Sequence, residues 1–339
     1  MQAESAIIGA MAAITIPILK EVPQLRPLNI LKDLPSVADL IEKCFASTMD
    51  SEGRNYLQQM RRAGRDNSFL RWASNAVETA SMPLSGYVWE ENGQIIGNVS
   101  LIPHRFKHKR IYLIANVATH PDYRRRGIGR ALTIAAIHHA RARHAVETWL
   151  HVRDDNPGAI ALYLRLGFKE IVRRTTWQAR PDRNVSIDPS INISRRHARD
   201  WLLQKEWLQR IYPDFMGWYQ PMPWRPLEPG FPATLYRFIL DYNIRHWVIR
   251  TNGEASALLS WQAMTGQNDR LWVAMPEEAD QRALAALLTR ARAELTWRPG
   301  LTMDFPAGQS TQAFEEAGFR SYRTLLWMKL MDESHVNNS

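Results

Sequence analysis

The chain has 339 residues, 45% of them hydrophobic, with one cysteine and a formal net charge of +9. That length fits about two domains with apolar cores, and a lone cysteine excludes both an internal disulfide and a cysteine-based metal cluster. The positive balance favours polyanionic ligands, phosphate-bearing small molecules and nucleic acid being two classes.

Residues 6–19 are uncharged and mostly apolar, but the run is too short to span a bilayer. Glu4 precedes it where a signal peptide needs basic residues, and Pro17 interrupts it. Met11 offers an alternative start, and a cytoplasmic protein without membrane attachment is expected. Residues 35–45 read as a helix in which Cys44 is a small core residue. Residues 87–97 read as a β-hairpin turning at Asn92-Gly93.

The apolar run Val117-Ala118-Thr119 leads through His120-Pro121-Asp122-Tyr123 into Arg124-Arg125-Arg126-Gly127-Ile128-Gly129-Arg130. This reads as a strand end, a loop and the start of a helix. Gly127 and Gly129 lack a Cβ, so the backbone there can turn tightly and approach a ligand closely. A helix start presents unpaired N–H groups and the positive end of a dipole, a ready phosphate site. Arg124, Arg125, Arg126 and Arg130 reinforce it, with Asp122 alone opposing them. The pattern is neither a three-glycine dinucleotide fingerprint nor a P-loop, since no Lys-Ser/Thr follows.

Residues 148–152 are β-branched, aromatic and aliphatic and read as a buried strand. Strand alternation puts Glu147, Trp149 and His151 on one face. Asn156-Pro157 opens a helix. Ala159, Ile160, Leu162, Tyr163 and Leu166 recur at helical spacing, Gly167 ends the helix, and Phe168 begins an extended run. Among the histidines, His138, His139 and His144 have no Cys or carboxylate partner at ligand spacing, so no metal site is expected.

Arg124-x-x-Gly127-x-Gly129 and Asn156…Ala161-Leu162-Tyr163…Gly167-Phe168 resemble the two signatures of the GNAT superfamily of acyl-CoA-dependent N-acetyltransferases, a likeness covering about residues 26–180. Within that superfamily the segment is similar to bacterial enzymes that acetylate the N-terminal alanine of a ribosomal protein. The resemblance implies acetyl-CoA as co-substrate, with no metal. It implies that Val117, Ala118 and Thr119 pair with the pantetheine arm, and that Arg124 and the amides of Arg125, Arg126, Gly127, Ile128, Gly129 and Arg130 hold the pyrophosphate. It gives Asn156 a hydrogen bond to the same arm and Tyr163 a role at the leaving sulfur. In the alanine-acetylating relatives a glutamate base stands where this chain has His151. Imidazole, with an unperturbed pKa of about 6.5, suits an α-amino acceptor of pKa near 8. A packed or solvent-bridging His151 with a water relay, and Glu147 as reserve base, stay open. The oxyanion donor is expected among the backbone N–H groups at the Thr119 strand end.

The second half repeats the landmarks of the first. Asn252-Gly253 sits in a hairpin pattern like that of Asn92-Gly93, and Gly318-Phe319 mirrors Gly167-Phe168. The stretch between these landmarks is shorter, and the missing piece falls at the phosphate loop. There the chain reads Met275-Pro276-Glu277-Glu278-Ala279-Asp280, acidic and without the glycine pair, which would satisfy a helix dipole internally and repel a pyrophosphate. Residues 180–194 read as a linker. Trp201, Trp207, Trp218 and Trp224, with Tyr212, Phe215 and Tyr219, read as packing residues, an acceptor pocket at Trp218, Tyr219 and Trp224 being the alternative.

The expected fold is α+β (α/β): tandem GNAT-like domains, each a mixed, mostly antiparallel twisted sheet flanked by helices. The expected division is an extension over 1–24, an acetyltransferase domain over 25–180, a linker and Trp-rich helix over 181–230, and a degenerate domain over 231–334. The expected activity is acetyl transfer from acetyl-CoA to a primary amine by direct attack, the amine being a protein N-terminus or a small molecule. Neither nucleic acid nor membrane is an expected partner. A non-catalytic acyl-CoA-binding or protein-interaction module is the competing reading.

Overall fold

The computed structural model describes residues 22–49, 51–63, 85–265, 268–278 and 280–331. The apolar run at 6–19 lies outside them. The chain divides into two compact units, Met1–Ile171 with Trp327–Ser339, and Val172–Leu326.

In the first unit the strands β1 (Leu25–Pro27), β2 (Ser85–Glu91), β3 (Gln94–Phe106), β4 (Lys109–Thr119) and β5 (Glu147–Arg153) lie in that order. The first four pair antiparallel, and β5 joins β4 in parallel. The β2–β3 hairpin turns at Asn92 and Gly93, with φ of 51° and 76°. That geometry belongs to a type I′ turn, whose twist matches the strands.

Helix α1 (Ile30–Phe45) starts five residues before the expected 35–45 segment. The Asn29 side chain caps it by accepting from the Leu31 N–H at 3.0 Å. Pro35 sits inside the helix, removing one intrahelical bond without ending it. Leu34, Val37, Ala38 and Ile41 of α1 pack with Leu57 and Met60 of α2 (Ser51–Ala63) and with Val88. Helix α3 (Ile128–Ala142) lies close to the sheet because Gly97 has no side chain. A Cβ there would meet Ile128 Cγ2 at 2.8 Å and Leu132 Cδ1 at 3.0 Å. Helix α4 (Pro157–Arg165) follows β5.

The second unit repeats this order. Strands β7 (Ile193–Arg195), β8 (Ile244–Thr251), β9 (Glu254–Gln262) and β10 (Asp269–Ala274) pair antiparallel in succession, and β11 (Leu301–Pro306) joins β10 in parallel. The β8–β9 turn again has Asn252 and Gly253 at positive φ, 53° and 86°. Both hairpins carry a register shift three residues before the turn glycine, at Trp89/Glu90 and at Ile249/Arg250. Repeated pairing, turn and bulge identify two copies of one architecture, as the recurrent landmarks predicted. Helices α5 (Trp201–Ile211), α6 (Phe231–Ile239), α7 (Gln281–Glu294) and α8 (Thr311–Glu316) flank the sheet. Trp207 and Tyr212 lie in the core of this unit, and Trp201 packs edge-on against Trp224 at 6.5 Å.

Two strands cross the division of the chain: β6 (Phe168–Ala179), whose residues Arg174 to Ala179 pair with β11, and β12 (Arg320–Leu330). No helix among the described residues is long and apolar enough to cross a membrane.

Candidate functional site

The first unit opens where β4 and β5 part. Among the described residues their pairing runs from Ile111 with Glu147 to Ile114 with Leu150 and stops there, while β4 continues to Thr119 and β5 to Arg153. A bulge marks the parting. Asn116 stands at φ 51°, and the register with β3 shifts between Asn98 and Ser100. Asn is one of the few side-chain-bearing residues that tolerates this backbone region. Its Nδ2 donates to Tyr56 Oη at 3.1 Å and to Ser100 Oγ at 3.3 Å, and its carbonyl accepts from Asn98 Nδ2 at 3.0 Å. Sequence reading passed over this bulge, although an Asn before an apolar strand end was its available signal.

Beyond the bulge the backbone alternates. The His120 N–H donates to the Ile96 carbonyl of β3 at 2.8 Å, so Ala118 faces β3 as well, and Val117 and Thr119 turn their peptide groups toward the opening. The Thr119 carbonyl accepts there from Cys44 Sγ at 3.3 Å and Arg124 Nε at 3.4 Å. Cys44 is thus half-buried at the edge of the opening, and burial pushes its thiol pKa up.

The loop after β4 ends at the start of α3. Gly127 is the N-cap, at φ 81°, and no side chain caps the helix. Arg125 also stands at positive φ, 68°. Among the described residues the first-turn amides of α3 therefore have no side-chain partner, next to a tight turn. Arg124, Arg125, Arg126 and Arg130 are exposed around them. Arg126 lies over the Tyr123 ring at 4.8 Å and 3.7 Å from Glu91. A Cβ on Gly129 would stand 3.7 Å from both Thr119 Oγ1 and Leu162 Cδ2. Glycine at this position therefore keeps clear a cradle bounded by β4, α3 and α4.

Asn156 caps α4, its Oδ1 accepting from the Ala159 N–H at 3.2 Å, which leaves its Nδ2 as a donor. Tyr163 is 6% exposed and packs edge-on against Phe168 at 6.0 Å. Burial raises the pKa of its phenol, which stays protonated at neutral pH. Among the described residues nothing hydrogen-bonds its hydroxyl, whereas a buried tyrosine ordinarily finds a partner.

On β5, Glu147 and His151 fare differently. The Glu147 carboxylate accepts from Trp149 Nε1 at 2.8 Å and from Lys109 Nζ at 3.1 Å. Burial pushes its pKa up, but these bonds and the charges of Lys109 and Lys329 outweigh it, and the net direction is down. A carboxylate so held is a weak proton acceptor. His151 is half-buried, its ring 4.8 Å from that of Trp327 at 48°.

The second unit keeps the frame without these features. Asp280 caps α7, its Oδ1 accepting from the N–H groups of Arg282 at 2.9 Å and Ala283 at 3.2 Å. Phe314 stands where the Gly167/Gly318 correspondence places Tyr163, and stacks on Trp177 at 4.7 Å.

Residues 41–168 match the Acetyltransferase (GNAT) family. The chain is 41% identical over 80 residues to a ribosomal protein bS18-alanine N-acetyltransferase of Escherichia coli strain K12, covering 23% of this chain and 54% of that one. It is 38% identical over 69 residues to a mycothiol acetyltransferase of Saccharomonospora viridis, covering 20% of this chain and 22% of that one. The chain thus spans about half the length of the bS18 enzymes it matches. A GCN5-related N-acetyltransferase from Sphaerobacter thermophilus, 14% identical, superposes with a TM-score of 0.54 over 91% of this chain and 96% of that one. This likeness concerns the fold and runs through both units.

Proposed function

We propose that this chain, whose first unit carries a GNAT acetyltransferase domain, moves the acetyl group of acetyl-CoA to a primary amine by direct attack in a ternary complex. The observation that carries the reading is the uncapped start of α3 at the mouth of the β4–β5 opening. Bound acetyl-CoA supplies an activated thioester. The α3 amides from Ile128 to Arg130, with Arg124 to Arg126, hold its pyrophosphate. Val117 and Thr119 extend β4 toward the pantetheine arm, and Asn156 Nδ2 donates to it. The Val117 N–H, at the parting of the strands, donates to the developing oxyanion.

His151 takes the proton from the acceptor ammonium, because only the neutral amine attacks. The engaged state of Glu147 favours His151 over it. The Tyr163 hydroxyl, without a hydrogen-bond partner among the described residues, donates to the departing sulfur. The acceptor is a protein N-terminus or a small amine, and the reaction is cytoplasmic. The second unit, with Asp280 on its helix start and Phe314 in place of a tyrosine, takes no direct part in the chemistry.

The test is thiol release from acetyl-CoA by the full chain with panels of peptide N-termini and small amines. Turnover abolished in His151→Gln and Tyr163→Phe, with acetyl-CoA binding kept, supports the reading. Acetyl-CoA binding without turnover on any amine makes the chain a binding module, and absence of binding removes the proposal.

A further inference from the structure

Asn98 and Ser100 are buried in the middle of β3, beside Ile96, Val99 and Leu101. Asparagine is a poor strand former, and a buried amide costs free energy unless it is hydrogen-bonded. Both residues are bonded, and toward one place. Asn98 Nδ2 donates to the Asn116 carbonyl at 3.0 Å and to Ser100 Oγ at 3.3 Å. Asn116 Nδ2 donates to the same Ser100 Oγ at 3.3 Å and to Tyr56 Oη of α2 at 3.1 Å. Burial pushes the Tyr56 phenol pKa up, so it stays a neutral acceptor for that bond. Asn98 pairs with Ala118 and Ser100 with Ala115, so Asn116 and Val117 together stand against Val99. The four bonds close around one peptide, the one joining Asn116 to Val117. Its oxygen is held by Asn98, and its nitrogen carries the Val117 N–H. A trans peptide points its C=O and N–H in opposite directions. An oxygen fixed toward β3 therefore fixes the N–H away from β3, toward the opening.

Resting on the reading of the Val117 N–H as the oxyanion donor, we infer that Asn98 is the positioning residue of that N–H, with Asn116, Ser100 and Tyr56 completing the clamp. As the amine nitrogen bonds to the thioester carbon, the C=O electron pair moves onto oxygen. The new charge is stabilised most by a donor already aimed at it. The second unit shows that the sheet itself does not require this arrangement. Counted from the turn glycines Gly93 and Gly253, Ser260 repeats Ser100, but Leu258 stands at the station of Asn98. There β10 pairs with β9 without a shift, from Arg270 with Gln262 to Ala274 with Leu258. Among the described residues no β10 residue has a positive φ. The copy with Asp280 on its helix start thus also lacks the bulge and the asparagines that hold it.

The experiment uses the full chain carrying Asn98→Leu, Asn116→Gly or Tyr56→Phe, with acetyl-CoA and an amine that the parent acetylates. The readouts are kcat, the KM for acetyl-CoA, the pH profile of kcat/KM for the amine and the backbone amide NMR spectrum. Asn98→Leu introduces the residue of the second unit and releases the peptide oxygen. Asn116→Gly adopts the positive φ without strain and removes only the side-chain bonds. We expect kcat to fall roughly 10- to 100-fold in Asn98→Leu, and roughly 3- to 10-fold in the other two, which keep the bond to the peptide oxygen. The acetyl-CoA KM and both limbs of the pH profile stay at parental values. The Val117 amide signal moves in Asn98→Leu, and those of Gly127 to Arg130 do not. A merely structural cluster would not part kcat from KM in this way. Parental kcat in Asn98→Leu, or in Asn116→Gly should the leucine variant not fold, overturns the inference and leaves acetyl transfer standing. A fall in kcat that comes with a raised acetyl-CoA KM or a displaced pH limb overturns it as well, because cofactor binding or the base would then have changed. A parent that binds acetyl-CoA and acetylates no amine removes the acetyl-transfer reading, and this assignment with it.

Discussion

Gly127 and Asp280 hold the same station in two copies of one fold, the N-cap of the helix that follows the fourth strand of each unit. The Asp280 carboxylate takes two N–H groups of its helix, from Arg282 and Ala283. Gly127 takes none, and its helix starts without a side-chain cap. An N-cap side chain is ordinarily worth about 1 kcal/mol. The first unit forgoes that stabilisation where a phosphate-bearing ligand would recover it, and the second unit keeps it.

Gly129→Ala tests the cradle. The added methyl would lie 3.7 Å from Thr119 and Leu162, ordinary contact distances, so the fold accommodates it. Alanine also favours the helix over glycine by about 1 kcal/mol. We expect the Tm to hold or rise while affinity for CoA, by calorimetry, falls roughly 10- to 100-fold. Unchanged affinity in a well-folded variant would move the ligand away from this turn.

Tyr163→Phe separates chemistry from packing. The hydroxyl has no hydrogen-bond partner among the described residues, so its removal strands no buried group there and the Tm stays within a degree or so. Loss of the proton donor at the leaving sulfur lowers kcat about 100-fold or more at constant acetyl-CoA KM. A kcat near the parental value would mean that solvent protonates the thiolate and that Tyr163 serves packing alone.

Asn156 has two functions on two atoms. Oδ1 caps α4 by accepting from Ala159, and Nδ2 is left to donate. Asn156→Ala removes both, so stability falls by about 1 kcal/mol and acetyl-CoA binding weakens. Asn156→Asp keeps an acceptor and sets a negative charge at a helix start, which conserves stability, but it too lacks the donor. Denaturant melts and calorimetry on the pair should therefore part: two variants weak in binding, one weak in stability. Full binding by Asn156→Asp would show that Asn156 is a cap and nothing more.

The parts of the site visible in the sequence are the local ones. The uncapped turn at Gly127, the Asn156 cap and the Gly167 stop each depend on residues a few positions apart, and such short-range rules leave a written pattern. The two Asn-Gly hairpins were legible for the same reason, and with them the duplication. The Asn29 start of α1 was missed: a proline suits the first turn of a helix, and Pro35 lies further in. Arg125 in the left-handed region has no sequence mark, since only the surrounding fold holds a bulky residue there. The return of Trp327 to His151 was out of reach. Residues so far apart in sequence meet through strand pairing, and alternation along β12 says which side chains share a face but not which strand lies opposite.

Burial in the second unit opposes the protonation of one histidine, His246. His246 Nδ1 lies 2.8 Å from Ser260 Oγ. Burial first, then the charges of Arg196 and Arg237, hold its pKa well below the usual 6.5. His104 and His139 in the first unit are lowered as well, again mainly by burial. A depressed histidine takes up its proton in the unfolded chain at a pH where the folded chain does not. Its contribution to stability is complete above the unfolded value near 6.5 and is lost as the pH falls below it, until the folded group titrates. One such group steepens the loss by about 1.4 kcal/mol per pH unit. Thermal melts from pH 7.5 down to 5 at constant salt should show the Tm falling below about pH 6.5. In His246→Asn, which keeps a polar partner for Ser260 without a titrating ring, that fall should be shallower. Parallel curves for parent and variant would show that His246 takes no part in the acid sensitivity.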